Sequence, residues 1–425
     1  MISHKKGLLA LSPIVVLLGV YLAGSLLAGD FYRVPITVSF IAAVTYGLFL
    51  MKGRQFRERV GVVSQGASHP DIMYMIWIFC FAGIFAASAK AMGAVDATVA
   101  LTMKVVPSRF LPAGIFVASC FISMAIGTSV GTIVALTPVV TAMAPQIGCE
   151  TAWLVAVVVG GAFFGDNLSF ISDTTIAATQ SQGCKMSDKF KTNFRIVVPA
   201  AIVTLGLYVF GNQTGDYMVA QQSVEWYKAL PYLLVIILAL SGVNVLIVLL
   251  LGTLVTDVMG LLCGSLDGLS VFTAVGDGLG SMLELILVTM LAGGVMNIVR
   301  QLGGFDYLIR VFTAKISSKR GAEGVIALLT ALTNFCTANN TIAILTVGSI
   351  AKDISQRYSI SPRKTASLMD TASCFVQGII PYGAQLLMAS GLAAVSPVEI
   401  IPHLYYPILI GVMVILSIIF RFPKN

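Results

Sequence analysis

Apolar runs of membrane-spanning length recur from end to end of the chain, separated by short polar or charged stretches. They predict helical crossings at 8–28, 34–51, 72–91, 152–180, 195–212, 229–241, 243–262, 283–300, 363–390 and 404–421, the sixth being short. Two further apolar segments, 109–146 and 323–353, are interrupted halfway by the polar clusters MAIGTSVGTIVALTP and NFCTANNTIAIL. Arms of about 15 residues make roughly 22 Å of helix, which is marginal for a crossing. Both segments are therefore expected to be re-entrant hairpins whose polar tips meet at mid-membrane.

Sliding the chain on itself by about 210 residues lays AGIFAASAKAMGAVDATVALT over AGGVMNIVRQLGGFDYLIRVFT, pairing Gly93 with Gly303 and Asp96 with Asp306. GTIVALT then falls over NTIAILT, pairing Thr132 with Thr341. The order of elements repeats as well. The first half is 1–214, with hairpin 109–146 and broken helix 152–180; the second is 215–425, with hairpin 323–353 and broken helix 363–390. Five crossings per half is an odd number, so the halves must lie upside down to each other. The expected fold is an all-α polytopic membrane protein, an inverted repeat of two five-crossing halves, each with a re-entrant hairpin and a broken helix.

Composition agrees, with 57% apolar and 11% charged residues. The net charge of +7 would suggest nucleic acid in a soluble domain. With the N-terminus cytoplasmic, however, the termini and the loops 52–71, 181–195, 300–322 and 352–364 carry 21 of the 26 Lys and Arg. The positive-inside rule accounts for that excess and removes a nucleic-acid partner. It predicts a multi-pass protein of the cytoplasmic membrane with both termini inside, its basic loops against anionic lipid headgroups. The N-terminal apolar run lacks a small-x-small cleavage site and is expected to be the first span. Seven cysteines without a CxxC pair read as small apolar residues. His4, His69 and His403 fall near predicted ends. Without GxSxG, HExxH or a mid-membrane histidine there is no case for an enzyme, and without an ATP-binding motif the energy must come from ion gradients.

The stretch GDNLSFISDTT, Gly165 to Thr175, places two aspartates, an asparagine and four hydroxyls in an apolar surround. Backbone that leaves helical geometry in a bilayer needs partners that lipid cannot supply. Gly127, Gly131, Gly165, and Gly378 with Pro381 are expected to mark four such breaks, converging at the centre. Asp166 is the first candidate for an ion-coupled carboxylate, since a charged Asp there costs about 2.5–3.5 kcal/mol without a task. Asp173 is either an ion ligand or a helix cap. Asn167, Ser169, Ser172 and Thr174 offer neutral oxygens suited to a hard cation such as Na+; Asp166, Asn167 and Asp173 form the proposed Na+ set. Thr128, Ser129 and Thr132 of the first tip, and Thr337, Asn339, Asn340 and Thr341 of the second, face the same choice between ligand and satisfied break. Asp370 could bind a second ion or a proton, or pair with a basic group. Gln377, Tyr382 and Gln385 could line a cavity. Asp257 and Glu284 read as interfacial.

GGAFFGDNLSFISDTTIAATQSQG closely resembles the signature of the NhaC-type Na+/H+ antiporter family, and the tips GTSVGTIVALTP and CTANNTIAILTV resemble hairpin tips of the wider ion-transporter superfamily. The family pattern has a proline after the motif's first serine, where this chain has Phe170. The resemblance implies a transport domain of hairpins and broken helices that moves like an elevator against a scaffold, and a homodimer.

The first functional expectation is therefore exchange of Na+ for H+ by alternating access, the two ions competing for membrane carboxylates, with no cofactor. The alternative is Na+- or H+-coupled transport of a small organic solute, an amino acid or carboxylate. No Arg or Lys falls at the centre of a predicted span, which argues against a dedicated anion clamp and favours cations or zwitterions.

Overall fold

The computed structural model describes residues 4–28, 35–105, 107–170, 172–211, 225–314 and 316–423. Residue 34, where the second crossing was expected to begin, residue 212, where the fifth was expected to end, and the expected boundary between halves at 214 lie outside the described residues. The described residues are helical with short connections and no strand. In the first half run α1 (His4–Ala28), α2 (Ile36–Leu50), α3 (Phe56–Ala67), α4 (Pro70–Met92), α5 (Ala94–Val105), α6 (Leu111–Ile126), α7 (Ser129–Gln146), α8 (Thr151–Leu168), α9 (Asp173–Gln182) and α10 (Met186–Phe210). The remainder comprises α11 (Leu230–Leu240), α12 (Val245–Leu262), α13 (Gly268–Ser281), α14 (Leu283–Gln301), α15 (Gly304–Thr313), α16 (Lys319–Thr337), α17 (Asn340–Arg357), α18 (Pro362–Ile379), α19 (Ala384–Ala393), α20 (Pro397–Ile400) and α21 (Tyr405–Ile419).

The protein is an integral membrane protein. Among the described residues, eight helices or continuous helix pairs are long and apolar enough to cross a bilayer, or nine when the bent Pro397–Ile419 stretch counts as one. Two expected crossings fall on shorter helices: α2 is a 15-residue helix, and Trp226–Leu240, which contains α11, is also below full length. The hairpin arms are longer than expected, at 16, 18, 19 and 18 residues for α6, α7, α16 and α17, and α7 alone qualifies as a span by length and composition. The rim of the protein is lipid-like: Leu250, Leu254 and Val258 on α12 are exposed. By contrast α8 is apolar around its whole circumference and buried from Ala152 to Phe163, as a helix in the middle of a bundle must be.

Local conformations recur between the halves. Gly93 after α4 and Gly303 before α15 are both left-handed, at φ 83° and 79°. The α6–α7 break is left-handed then extended, Gly127 (φ 76°) and Thr128 (φ −145°); the α16–α17 break repeats this with Ala338 (φ 50°) and Asn339 (φ −144°). Helices α8 and α18 both end in extended residues, Ser169 and Ile380, and short helices α9 and α19 follow. Aligning these breaks pairs Asp166 with Gln377. Two glycine contacts also recur. A Cβ at Gly66 on α3 would lie 2.2 Å from the Gly293 carbonyl oxygen on α14, and one at Gly83 on α4 would lie 2.3 Å from that of Gly278 on α13.

Three of the expected break glycines serve otherwise. Gly127 does turn the first tip, but Gly131 lies inside α7, Gly165 inside α8 and Gly378 inside α18. The interruptions fall at 169–172 and at 380–383, the latter containing Pro381. Gly161 and Gly165 instead let α6 approach α8: added Cβ atoms would lie 2.5 Å from Ser119 Cβ and 2.2 Å from Ser123 Cβ. Of the cysteines, Cys120, Cys336 and Cys374 are buried as expected, while Cys263 is exposed.

Candidate functional site

The polar motif is spent largely on the backbone of its own break. Ser172 Oγ donates to the Asp166 carbonyl at 3.0 Å and Thr174 Oγ1 lies 3.4 Å from the same oxygen, while Ser169 Oγ donates to the Met124 carbonyl at 2.9 Å. Ser172 also caps α9 by accepting from Thr175 N at 3.3 Å. The Asn167 carbonyl accepts from Lys189 Nζ at 2.9 Å and Asn193 Nδ2 at 2.8 Å. Thus the Asp166 and Asn167 carbonyls, left without helical partners at the end of α8, both find side-chain donors, as burial demands. Phe170, in the position of the family's proline, stacks on Phe190 of α10 with centroids 4.6 Å apart.

Asp166 is 5% exposed and its Oδ1 accepts from Ser129 N, the first amide of α7, at 2.9 Å. A carboxylate at a helix N-terminus is favoured by the free amides and the dipole. Ser129 Oγ accepts from Gln385 Nε2 at 3.0 Å, and Gln385 Oε1 accepts from Gln377 Nε2 at 2.9 Å. Gln377 Nε2 also donates to the carbonyl of Ala338, at the second tip, at 3.0 Å. A continuous chain of hydrogen bonds therefore links both tips to both broken helices. At the second tip, Asn339 Oδ1 accepts from Ile342 N and Asn340 Oδ1 from Thr341 N, so the two asparagines cap α17.

These groups surround a cavity of about 500 Å3. One wall comes from the tips and the broken helices, with Thr128, Ser129, Asp166, Ser172, Asp173, Thr174, Thr337, Asn339, Asn340, Thr341, Gln377, Tyr382 and Gln385. The other comes from α3, α4, α14 and the start of α12, with Gln65, His69, Asp71, Asn244, Thr289, Asn297 and Arg300. Asp173, in the first turn of α9, is exposed within this space. Four candidates lie off the cavity lining: Asn167, Ser169, Thr132 and Asp370. Asn167 Nδ2 donates back to the Phe163 carbonyl at 3.0 Å, and Thr132 Oγ1 to the Thr128 carbonyl at 3.2 Å. Glu284 stays near a helix start and accepts from Thr37 Oγ1 at 3.3 Å.

Asp370, of the alternatives open to it, is paired with a base. Lys189 Nζ lies 2.7 Å from its Oδ2, with the lysine 1% and the aspartate 0% exposed. Lys189 Nζ also donates to Thr175 Oγ1 at 2.7 Å, and Asn193 Nδ2 to Asp370 Oδ2 at 2.8 Å. The expectation that no basic group reaches the centre is thus corrected. Lys189 was counted in a solvated loop at 181–195, but α10 begins at Met186. Its buried residues, Lys189, Thr192, Asn193, Ile196, Val197, Ala200, Thr204 and Tyr208, form one helical stripe; extending that spacing backwards from Ile196 would have found both Lys189 and Asn193. Arg300 and His69 are likewise not remote from the chemistry, since both line the cavity.

A helical membrane protein with a polar cavity walled by interrupted helices belongs to the class of membrane transporters. Within that class, the chain belongs to the Na+/H+ antiporter family, whose model matches residues 5–212 and 219–423. It is 22% identical to the malate-2H+/Na+-lactate antiporter of Bacillus subtilis (strain 168), over 93% of this chain and 91% of that protein. It is also 22% identical to the Na+/H+ antiporter NhaC of Alkalihalophilus pseudofirmus, over 90% and 89% of the two chains, and to that of Bacillus subtilis (strain 168), over 75% and 77%. The crystal structure of the Alcanivorax borkumensis YdaH transporter matches with a TM-score of 0.43 at 13% identity, covering 88% of this chain and 91% of that one.

Proposed function

We propose that the chain exchanges Na+ for H+ with Asp166 as the carboxylate for which the two ions compete. The observation that carries this is the contrast between two membrane carboxylates: Asp370 is held by Lys189, whereas Asp166 lines the cavity with a helix amide as its principal partner. Thr128, Ser172, Asp173 and Thr174 share its wall and supply the oxygen donors that a hard cation takes; Asn167 and Ser169 act behind them by fixing the break. A proton on Asp166 and a Na+ beside it neutralise the same charge, so each excludes the other and exchange follows.

The movement in this reading is elevator-like. Tips and broken helices form the moving body, and α3, α4, α12 and α14 the scaffold across the cavity. The halves 1–214 and 215–425 are taken as an inverted repeat, a reading supported by the recurring caps and glycine contacts. The basic loops orient both termini to the cytoplasm of the inner membrane, and the cavity, with Gln65, His69 and Arg300 on its wall, then opens inward. A homodimer is part of the proposal through the superfamily resemblance.

Transport by purified protein in liposomes holding a pH dye tests the assignment. A Na+ gradient should drive prompt proton movement in wild type and none in Asp166→Asn. Normal exchange by the variant would overturn the role of Asp166, and absence of exchange in wild type would overturn antiport itself. The organic-solute alternative keeps one specific support, a cavity far larger than a Na+ site requires, alongside a relative named for malate and lactate.

A further inference from the structure

We propose that an anionic phospholipid of the cytoplasmic leaflet docks on the outer face of α10 and steadies the break between α8 and α9. Its phosphate lies between Lys191 and Arg195, and an acyl chain lies against Phe170 and Phe194. Binding of the lipid does not depend on which ions the protein exchanges.

The stretch KFKTNFR, Lys189 to Arg195, turns two faces of one helix to two tasks. Lys189 and Asn193 are buried and reach inward to the Asn167 carbonyl. Phe190 and Phe194 are one turn apart, as are Lys191 and Arg195, and the two pairs form adjoining strips on the outward side. Phe194 is 48% exposed, and Lys191 and Arg195 are exposed as well. Among the described residues no carboxylate lies within ion-pair distance of either base.

Phe170 joins that face to the candidate ion site. It belongs to the 169–172 interruption, between Asp166 on α8 and Asp173 on α9. Its ring stacks on Phe190 with centroids 4.6 Å apart and planes at 15°, and Phe190 meets Phe194 at 6.1 Å. Phe170 nevertheless remains 48% exposed, so the stack covers part of the ring and leaves the rest open.

Depth decides what meets this face. Arg195 to Phe210 is sixteen residues of α10, about 24 Å of helix, against a hydrocarbon core of about 30 Å. Measured back from the end of α10, the inner edge of the core therefore falls within the turns that carry Phe190 to Arg195. Aromatic rings settle at that depth, and the stems of Lys and Arg lie along apolar surface while their charged ends reach the phosphates. Two cations beside an open apolar surface at headgroup depth match a negative phosphate and an acyl chain. A zwitterionic lipid offers the same chain but carries a compensating ammonium.

The break is then held from both sides of α10, by Lys189 and Asn193 within and by the lipid-covered stack without. None of the five residues of the docking face lines the cavity, so the lipid acts on exchange through the break.

Two measurements test this. Phosphatidylglycerol retained by the purified protein is counted by native mass spectrometry, and Na+-driven proton movement is followed in phosphatidylcholine liposomes with and without phosphatidylglycerol. Wild type should retain phosphatidylglycerol in preference to phosphatidylcholine. The double variant Lys191→Gln with Arg195→Gln, both at exposed positions, should retain it about tenfold less or lower still, since each base near an anionic surface contributes about fivefold. Phe170→Ala should also lose lipid. Phosphatidylglycerol should raise exchange several-fold in wild type and not in the double variant. An anionic surface concentrates cations for both proteins alike, so equal stimulation would overturn the coupling to the break. Equal lipid retention by the two would overturn the docking face, and stimulation of wild type in phosphatidylcholine by inorganic phosphate alone would overturn a lipid as occupant. Selective retention by a wild type that exchanges no Na+ in either liposome would keep the docking face and sink antiport.

Discussion

Lys189 and Asp370 form an ion pair 2.7 Å long from which water is excluded on both sides, the lysine 1% and the aspartate 0% exposed. The lysine also binds the end of α8 through the Asn167 carbonyl and the start of α9 through Thr175. One ammonium thus fastens a broken helix of the first half to α18 of the second.

Removing one member of such a pair leaves a buried charge without compensation. Lys189→Met should destabilise the protein by about 3–5 kcal/mol. The double variant Lys189→Met with Asp370→Leu should recover much of that loss, because neither charge then remains. Thermal unfolding of the two single variants and the double variant in detergent gives the coupling directly; additive losses would contradict the pair.

Competition at Asp166 fixes the sign of the pH dependence. Below the carboxyl's pKa the proton occupies the site, so apparent Na+ affinity should fall about tenfold for each further unit drop in pH, and level off above it. Na+-driven exchange measured across a pH series checks this. A Na+ half-saturation that does not rise on acidification would exclude a shared site.

The bridge from Ala338 through Gln377 and Gln385 to Ser129 joins the tips. Gln377→Leu leaves the Ala338 carbonyl without its side-chain donor at a cost of about 1–3 kcal/mol. Gln385→Leu removes the link between tips while sparing that carbonyl. Exchange should drop about tenfold or more in Gln385→Leu with the melting temperature little changed; unaltered rates would show that the tips move independently.

Glycines at helix contacts divide by what a methyl would meet. Gly83→Ala drives Cβ to 2.3 Å from the Gly278 carbonyl oxygen and should cost at least about 1–3 kcal/mol. Gly61, on α3, has nothing within 4 Å, so Gly61→Ala should be neutral or stabilise the helix by up to about 1 kcal/mol. Thermal stability of the pair separates packing from a general intolerance of change.

Breaks at 127–128 and 338–339 were legible because a bilayer gives a polar cluster only one use for its backbone-bonding groups. The apolar windows likewise located α4, α12 and α14 within a few residues. What sequence could not give was direction: Gly165 reads as a hinge, yet its missing side chain admits Ser123. Lys189 was hidden for a related reason. Charge counts assign a lysine to water unless its helical stripe is extended through it, and only the fold brings Asp370, 181 positions away, to the ammonium. Asn167 divides its amide, since Nδ2 bonds the Phe163 carbonyl of its own helix while Oδ1, the atom a cation would take, has no hydrogen-bond partner.

In the proposed cycle the charges of Lys189 and Asp370 cancel, so the moving body would differ in charge between half-cycles through what occupies the cavity carboxylates Asp166 and Asp173. With one Na+ carried one way and one proton the other, the occupied site would carry the same charge in both directions. Membrane potential, worth about 2.3 kcal/mol per charge per 100 mV, would then do no work on the cycle, and chemical gradients alone would set its direction.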